Sequence, residues 1–283
     1  LLLSLFLLYI LSLLKEMNKI YYTLIFVFAL YLVVTLGFYI FQRKLLYYPN
    51  FNSHLKGDGL IHSFKNIDIK TKDNINLKGW FHLKDPKKKT ILFFHGNAGT
   101  LDNRIYKLNS LGNLDVNFLI IAWRGYSGST GKPSEFGLYQ DAKSALNWLN
   151  SKGITDDKII LYGESLGTSI AIEVGQNRDF AGMILESPFT SMVDVGRKHY
   201  PIFPIKLLLK DKYESKNKIK NIKFPVLIMH GEKDKIVPFY MGKEIYNLAN
   251  KPKSKYFTEN DGHMMEFNPN LINKIELFLK SLN

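Results

Sequence analysis

The sequence predicts an α/β protein: a mostly parallel, eight-stranded sheet with helices on both faces and a short insertion late in the chain, preceded by a membrane-spanning helix. Three observations carry this reading. An uncharged 22-residue run, "IYYTLIFVFALYLVVTLGFYIF", occupies residues 20–41. Beyond residue 63, short apolar runs alternate with amphipathic stretches, the pattern of strands covered on both faces and joined by crossover helices. A length of 283 residues with 46% hydrophobic content supplies enough apolar surface for one large core.

The elements follow in chain order. At about 1.5 Å per residue, the run at 20–41 matches the roughly 30 Å of bilayer hydrocarbon. Tyr21 and Tyr22 at one end, and Tyr47 and Tyr48 after the basic pair Arg43 and Lys44 at the other, resemble interfacial anchors. Ahead of it, "LLLSLFLLYILSLL" at 1–14 is short for a span and is followed by Lys15, Glu16, Met17 and Lys19. Residues 1–19 are therefore expected to be a leader, with Met17 the biological start. No small-residue cleavage site follows the apolar run, so a retained single-pass anchor is expected. Lys19 and the amino terminus nearly balance Arg43 and Lys44 across it, and the positive-inside rule assigns no side to the rest of the chain.

Residues 45–283 carry the expected catalytic domain. "SFKNIDIKT" and "INLKGWFHL", separated by Lys72, Asp73 and Asn74, predict an antiparallel hairpin at one sheet edge. "TILFFHG" (90–96) and "NFLIIAW" (117–123) are apolar throughout and predict buried strands, with a helix over 101–111 between them. A helix over 136–150 begins after Pro133, Ser134 and Glu135, whose side chains suit initiation. "KIILYG" is the fifth strand, followed by a helix over 165–175. "FAGMILES" and "FPVLIMHG" are the sixth and seventh, followed by a helix over 239–249. The short strand "SKYFTE" and a helix over 268–282 close the chain.

Composition narrows the chemistry. With no cysteine, the chain has no disulfide, no thiolate metal site and no cysteine nucleophile. The formal charge of +13 comes mostly from scattered lysines, without an Arg-rich helix or a nucleic-acid reader motif, and fits attraction to anionic lipid better than nucleic-acid binding.

"IILYGESLGTSIAIEV" (159–174) places Ser165 between Gly163 and Gly167, at the junction of an apolar strand and an amphipathic helix. In that setting Gly-x-Ser-x-Gly is a nucleophile elbow, and Ser165 is the expected nucleophile. A serine hydroxyl needs a general base, and the base needs an acid to hold its tautomer, in the chain order Ser, Asp or Glu, His. Asp234 in "MHGEKDKIVP" and His263 in "ENDGHMM" both follow the ends of strands, where open α/β sheets collect their chemistry. Glu186, at the end of the sixth strand, is the rival acid. Asp261 is too close to His263 to be more than a turn residue. Of the other histidines, His54, His62 and His82 lie before the core or in the edge hairpin, His199 lies in the insertion, and His95 and His230 end strands before glycine; each is expected to be structural. The backbone N–H groups of Leu166 and of Asn97 in "HGNAG", with Ala98 as fallback, are the expected oxyanion donors. Ser127 in "RGYSGSTG" lacks the second glycine and is expected to be structural.

"HGNAG", "WRGYSGSTGKPSE" with "GLYQDA", "GESLGTSIA", "ESPFTS", "NIKFPVLIMHGEKDKIVP" and "DGH" together resemble the α/β-hydrolase superfamily over residues 45–279, and within it the membrane-anchored bud-emergence-type hydrolases with serine aminopeptidase-like domains. The resemblance implies the α/β-hydrolase fold, a triad at Ser165, Asp234 and His263, and esterase or thioesterase chemistry without a metal or organic cofactor. Relatives include protein depalmitoylases, whose cysteine-rich N-terminus has no counterpart here. The insertion at about 188–223 joins an apolar, proline-interrupted "YPIFPIKLLL" to a basic "KDKYESKNKIKNIK". It reads either as a lid, apolar toward the serine and basic toward a membrane, or as a packing insertion. The expected partner is a small-molecule or lipid acyl substrate, with no nucleic acid; the expected location is the membrane. A peptidase or an acyltransferase would use the same triad, and a noncatalytic membrane scaffold would keep the fold alone.

Overall fold

The computed structural model describes residues 2–49, 57–61 and 63–282. The chain forms two compact units, one reaching to Leu45 and one from Leu46 onward. The first is a single helix, α1 (Leu2–Leu46), in which the leader and the uncharged run are continuous. Its stretch Tyr9–Leu46 is long and apolar enough to cross a membrane, and none of its most apolar window is buried in protein.

The second unit has the α/β-hydrolase fold. Its sheet contains β1 (Lys65–Lys70), β2 (Asn76–His82), β3 (Thr90–Phe94), β4 (Asn117–Ile121), β5 (Ile159–Glu164), β6 (Gly182–Glu186), β7 (Val226–Gly231) and β8 (Lys253–Thr258). Their spatial order is β8-β7-β6-β5-β3-β4-β2-β1. Only β2 runs against its neighbours, β1 and β4. All five residues of β3 and β4 and all six of β5 are buried, as expected of strands without a solvent face. Phe93 stacks on Tyr162 across β3 and β5 at 4.6 Å between ring centroids.

The helices are α2 (Ile105–Gly112), α3 (Glu135–Ser151), α4 (Leu166–Gly175), α5 (Met192–His199), α6 (Phe239–Leu248) and α7 (Pro269–Lys280). Ser134 caps α3 by accepting the Gly137 N–H at 3.1 Å, and Asn268 caps α7 by accepting the Leu271 N–H at 3.1 Å. The helix expected from residue 101 instead starts with a 3₁₀ turn, Leu101–Arg104. Asn103 folds back to accept the Thr100 N–H at 2.8 Å, and Arg104 is drawn inward onto the Ala98 and Thr100 carbonyls. The insertion contains α5 and two single turns, Ile205–Leu208 and Ser215–Lys218.

Parallel strands in register end together, and this sets the position of the site. Phe94 of β3 lies opposite Gly163 of β5, and Glu164 lies opposite Glu186 of β6. Ser165, Asp234 and His263 all follow C-terminal strand ends on that same edge.

Candidate active site

Ser165 occupies the turn between β5 and α4 with φ 50° and ψ −112°, a backbone conformation an L-residue adopts at a cost of about 1–3 kcal/mol. Its neighbours explain how the turn is accommodated. A Cβ on Gly163 would sit 2.5 Å from the Thr168 Cα, and one on Gly167 would be driven into the Phe94 carbonyl oxygen. Both glycines are therefore required by close backbone approach. The Ser165 N–H donates to the Glu186 carbonyl at 2.8 Å, tying the turn to the end of β6.

The three expected side chains meet. His263 Nε2 lies 2.9 Å from Ser165 Oγ, and His263 Nδ1 lies 2.7 Å from Asp234 Oδ2. Asp234 Oδ1 accepts the Ile236 and Val237 N–H groups, each at 2.8 Å. Burial acts to raise the proton affinity of Asp234, but hydrogen bonds from His230 and His263 and the Val237 N–H outweigh it and hold the carboxyl well below the usual carboxylate range. A carboxylate so held orients the imidazole with Nδ1 protonated and leaves Nε2 free to accept the serine proton.

Glu186 does not reach His263. Its carboxylate is fully buried, accepting from Lys107 Nζ at 2.6 Å and from the Tyr162 hydroxyl at 2.8 Å. Lys107, equally buried, also donates to Glu164 at 2.7 Å, and Arg104 donates to the other Glu164 oxygen at 2.7 Å. Two cations and two carboxylates thus balance beneath the Ser165 turn. Burial would lower the Lys107 pKa, yet Glu164 and Glu186 raise it, while Arg104 and Lys107 pull Glu164 below its ordinary value against its burial. The sequence offered no signal for this cluster, because Arg104 and Lys107 look like ordinary residues of a surface helix.

His95 is buried and neutral: Nδ1 donates to the Gly96 carbonyl at 2.7 Å and Nε2 accepts the Trp123 N–H at 3.2 Å. His82 contacts the Ser63 carbonyl at 3.0 Å, and His199 contacts the Ile236 carbonyl at 2.9 Å. His230 is not remote from the site; its Nε2 lies 3.2 Å from Asp234 Oδ2, which makes it a second histidine on the acid. Its position four residues before Asp234 was the one signal that could have shown this. His54 and His62 lie outside the described residues. Ser127 accepts the Leu101 N–H, and Asp261 accepts from the Thr258 hydroxyl, so both have turn roles. Neither the Asn97 nor the Leu166 N–H donates to any described residue. Leu166 is the residue after Ser165, and Asn97 follows Gly96, whose N–H donates to Glu164 Oε1 at 3.2 Å. No group of three or more metal-ligating side chains occurs among the described residues.

A half-buried strand-turn-helix serine joined to histidine and aspartate at strand ends has the geometry of a hydrolase site, and comparison with known proteins agrees. Residues 135–274 match the prolyl oligopeptidase family. An uncharacterised Mycobacterium tuberculosis protein is 34% identical over 225 residues, covering 78% of this chain and 80% of that protein. The bem46 protein of Schizosaccharomyces pombe is 32% identical over 240 residues, covering 79% and 80%. A lysophosphatidylserine lipase of Xenopus tropicalis is 29% identical over 216 residues, 69% of this chain and 56% of that one. A Pyrococcus furiosus esterase structure superposes with a TM-score of 0.68 at 21% identity, covering 84% of this chain and all of that one. The chain belongs to the α/β-hydrolase superfamily, among domains related to esterases and peptidases. Its general activity is hydrolytic.

Proposed function

We propose that the protein is a membrane-anchored serine hydrolase of the bud-emergence type that cleaves carboxylic esters or thioesters of lipid-like acyl groups. The observation that carries this is the unbroken relay from Ser165 Oγ through His263 to Asp234, at 2.9 and 2.7 Å. Ser165 Oγ bonds to the acyl carbon while His263 Nε2 takes its proton, and the Asn97 and Leu166 N–H groups hold the oxyanion. The tetrahedral intermediate collapses as the leaving oxygen or sulfur takes the proton from His263. Water then attacks the acyl-enzyme by the same route and releases the acid. None of these steps requires a metal or organic cofactor.

The surroundings favour an apolar acyl group. Ile236 and Met264, beside the acid and the base, are 56% and 52% exposed, and Leu207 of the insertion is 82% exposed. The apolar run of the insertion is thus partly turned outward. Its basic run is partly spent internally, because Lys216 pairs with Asp194 and Lys218 with Glu173, so neither belongs to an outward lipid-facing patch. The apolar α1 and the lipid substrate in the name of the Xenopus relative also support a membrane lipid substrate.

The full chain in detergent, assayed against p-nitrophenyl esters of acetate through palmitate, tests this. Hydrolysis lost in Ser165→Ala and rising with chain length is expected; hydrolysis retained in that variant would reject the mechanism. The match to the prolyl oligopeptidase family keeps a peptidase as the second reading, which faster turnover of a peptide amide than of any ester would favour. An acyltransferase would transfer the acyl group to an added alcohol in preference to water, and a scaffold would turn over nothing.

A further inference from the structure

Leu46–Pro49, the last residue of α1 and the three after it, is bonded to the loop proposed above to supply the second oxyanion donor. Tyr48 and Pro49 run parallel to Ala98 and Gly99 as a two-residue ladder. The Tyr48 N–H donates to the Asn97 carbonyl at 3.1 Å, and the Asn97 carboxamide Nδ2 donates to the Leu46 carbonyl at 2.6 Å. Tyr47, 2% exposed, fixes the segment from the opposite side: its hydroxyl lies 2.7 Å from the Tyr213 hydroxyl and donates to Asp211 Oδ2 at 3.1 Å. Burial and the neighbouring Tyr213 and Asp211 raise the Tyr47 pKa far above its ordinary value, so it remains a phenol and keeps its proton to donate.

The remaining bonds show what this attachment positions. The Asn97 N–H shares a planar peptide with the Gly96 carbonyl, and in a trans peptide the two point in opposite directions. That carbonyl is held by His95 Nδ1 at 2.7 Å. The next peptide, bearing the Asn97 carbonyl, is held by the Tyr126 hydroxyl at 2.7 Å and by Tyr48. With the side chain committed to Leu46, the backbone N–H is the one polar group of Asn97 that donates to no described residue.

We infer that Leu46–Pro49 is a positioning strap: through the Asn97 side chain and the Tyr48 N–H it sets the direction of the Asn97 N–H, and Tyr47 pins the strap to the insertion. The Asn97 carboxamide is then a positioning group, distinct from the backbone donor it aims. The inference rests on the serine-hydrolase reading. An oxyanion donor is worth about 10²–10³ in turnover, and a misplacement near 1 Å costs about 10². Loosening the strap should therefore act on the chemical step and leave ground-state binding nearly unchanged.

The test uses the full chain in detergent, with p-nitrophenyl butyrate as probe and the acylation burst followed by stopped flow. Asn97→Ala keeps the backbone N–H and removes the tether; Tyr47→Phe keeps the ring and removes the hydroxyl. Asn97→Ala is expected to slow acylation by about 10- to 100-fold, with KM changed by less than about threefold and the thermal midpoint within a few degrees. Tyr47→Phe should slow it by at least about threefold in the same pattern. Acylation within twofold of the parent in both variants would overturn the strap, while loss of the burst only in Ser165→Ala would show the hydrolase reading still standing. If Asn97→Ala fails to fold, Tyr47→Phe decides by the same criteria. A burst that persists in Ser165→Ala would remove the hydrolase reading and the inference together.

Discussion

Lys107→Met removes the cation that joins two carboxylates beneath the Ser165 turn. In the parent, Lys107 is wholly buried and donates to Glu164 at 2.7 Å and to Glu186 at 2.6 Å. The variant keeps both carboxylates and one cation, Arg104, which reaches Glu164 but not Glu186. Breaking a buried pair from one side costs about 3–5 kcal/mol, because a charge is left without its partner. One of the two carboxyls then relieves the charge by taking up a proton. A folded-state carboxyl with proton affinity above its unfolded value loses stability as pH rises, so the deficit should be larger at pH 8 than at pH 5. Urea unfolding followed by tryptophan fluorescence reads this well, because Trp80, Trp123 and Trp148 all lie in the catalytic unit. For an m-value of about 3 kcal/mol per M, the midpoint at pH 8 should fall by roughly 1 M or more. A fall below about 0.3 M, or one equal at both pH values, would refute the assignment of Lys107 as the charge holding this cluster together.

Three further outcomes follow from the same geometry. His95 is buried with Nε2 accepting a backbone N–H, and burial, aided by the Arg104 charge, lowers its pKa to about 3. The unfolded chain therefore binds the proton more readily, and the unfolding free energy read from urea titrations should drop as pH falls from about 6.5 toward 3, by up to roughly 5 kcal/mol in total from this group; a flat unfolding free energy over that window would refute it. Gly167→Ala should destabilise by at least about 3 kcal/mol, since its Cβ meets the Phe94 backbone and not a movable side chain, and recovery of parent-like thermal stability would contradict this. Asp234→Asn should lower kcat by about 10⁴, whereas Glu186→Gln should hold kcat within about tenfold while lowering the melting temperature; equal kcat losses would reopen the choice of acid.

The strands were legible in the sequence because each is a short apolar run between turn residues, and all eight occur where the text alternates. The convergence of Ser165, Asp234 and His263 was legible for a related reason: turns near strand ends are marked by Gly163, Gly231 and the Asp261-Gly262 pair, and each of the three side chains follows within a few residues. What escaped was side-chain convergence across long separations. Nothing in "RIYKLN" shows that Arg104 and Lys107 turn inward, because their partners Glu164 and Glu186 are 60 and 79 residues away. The start of that helix was missed because Asn103 caps backward, a local bond that apolar spacing does not register. The Leu46–Pro49 segment escaped too, since a two-residue ladder has no periodicity and Tyr47 reads as a membrane-interface residue until Tyr213 and Asp211 are placed around it.

In the proposed mechanism Ser165 is an activated nucleophile held by His263 and Asp234. The most direct measurement treats the full chain in detergent with a fluorophosphonate probe and maps the modified peptide by mass spectrometry. One adduct is expected, on Ser165 within "YGESLGTS", abolished by heat denaturation and slowed by orders of magnitude in His263→Ala. A folded protein that stays unmodified, or an adduct on another serine, would contradict it.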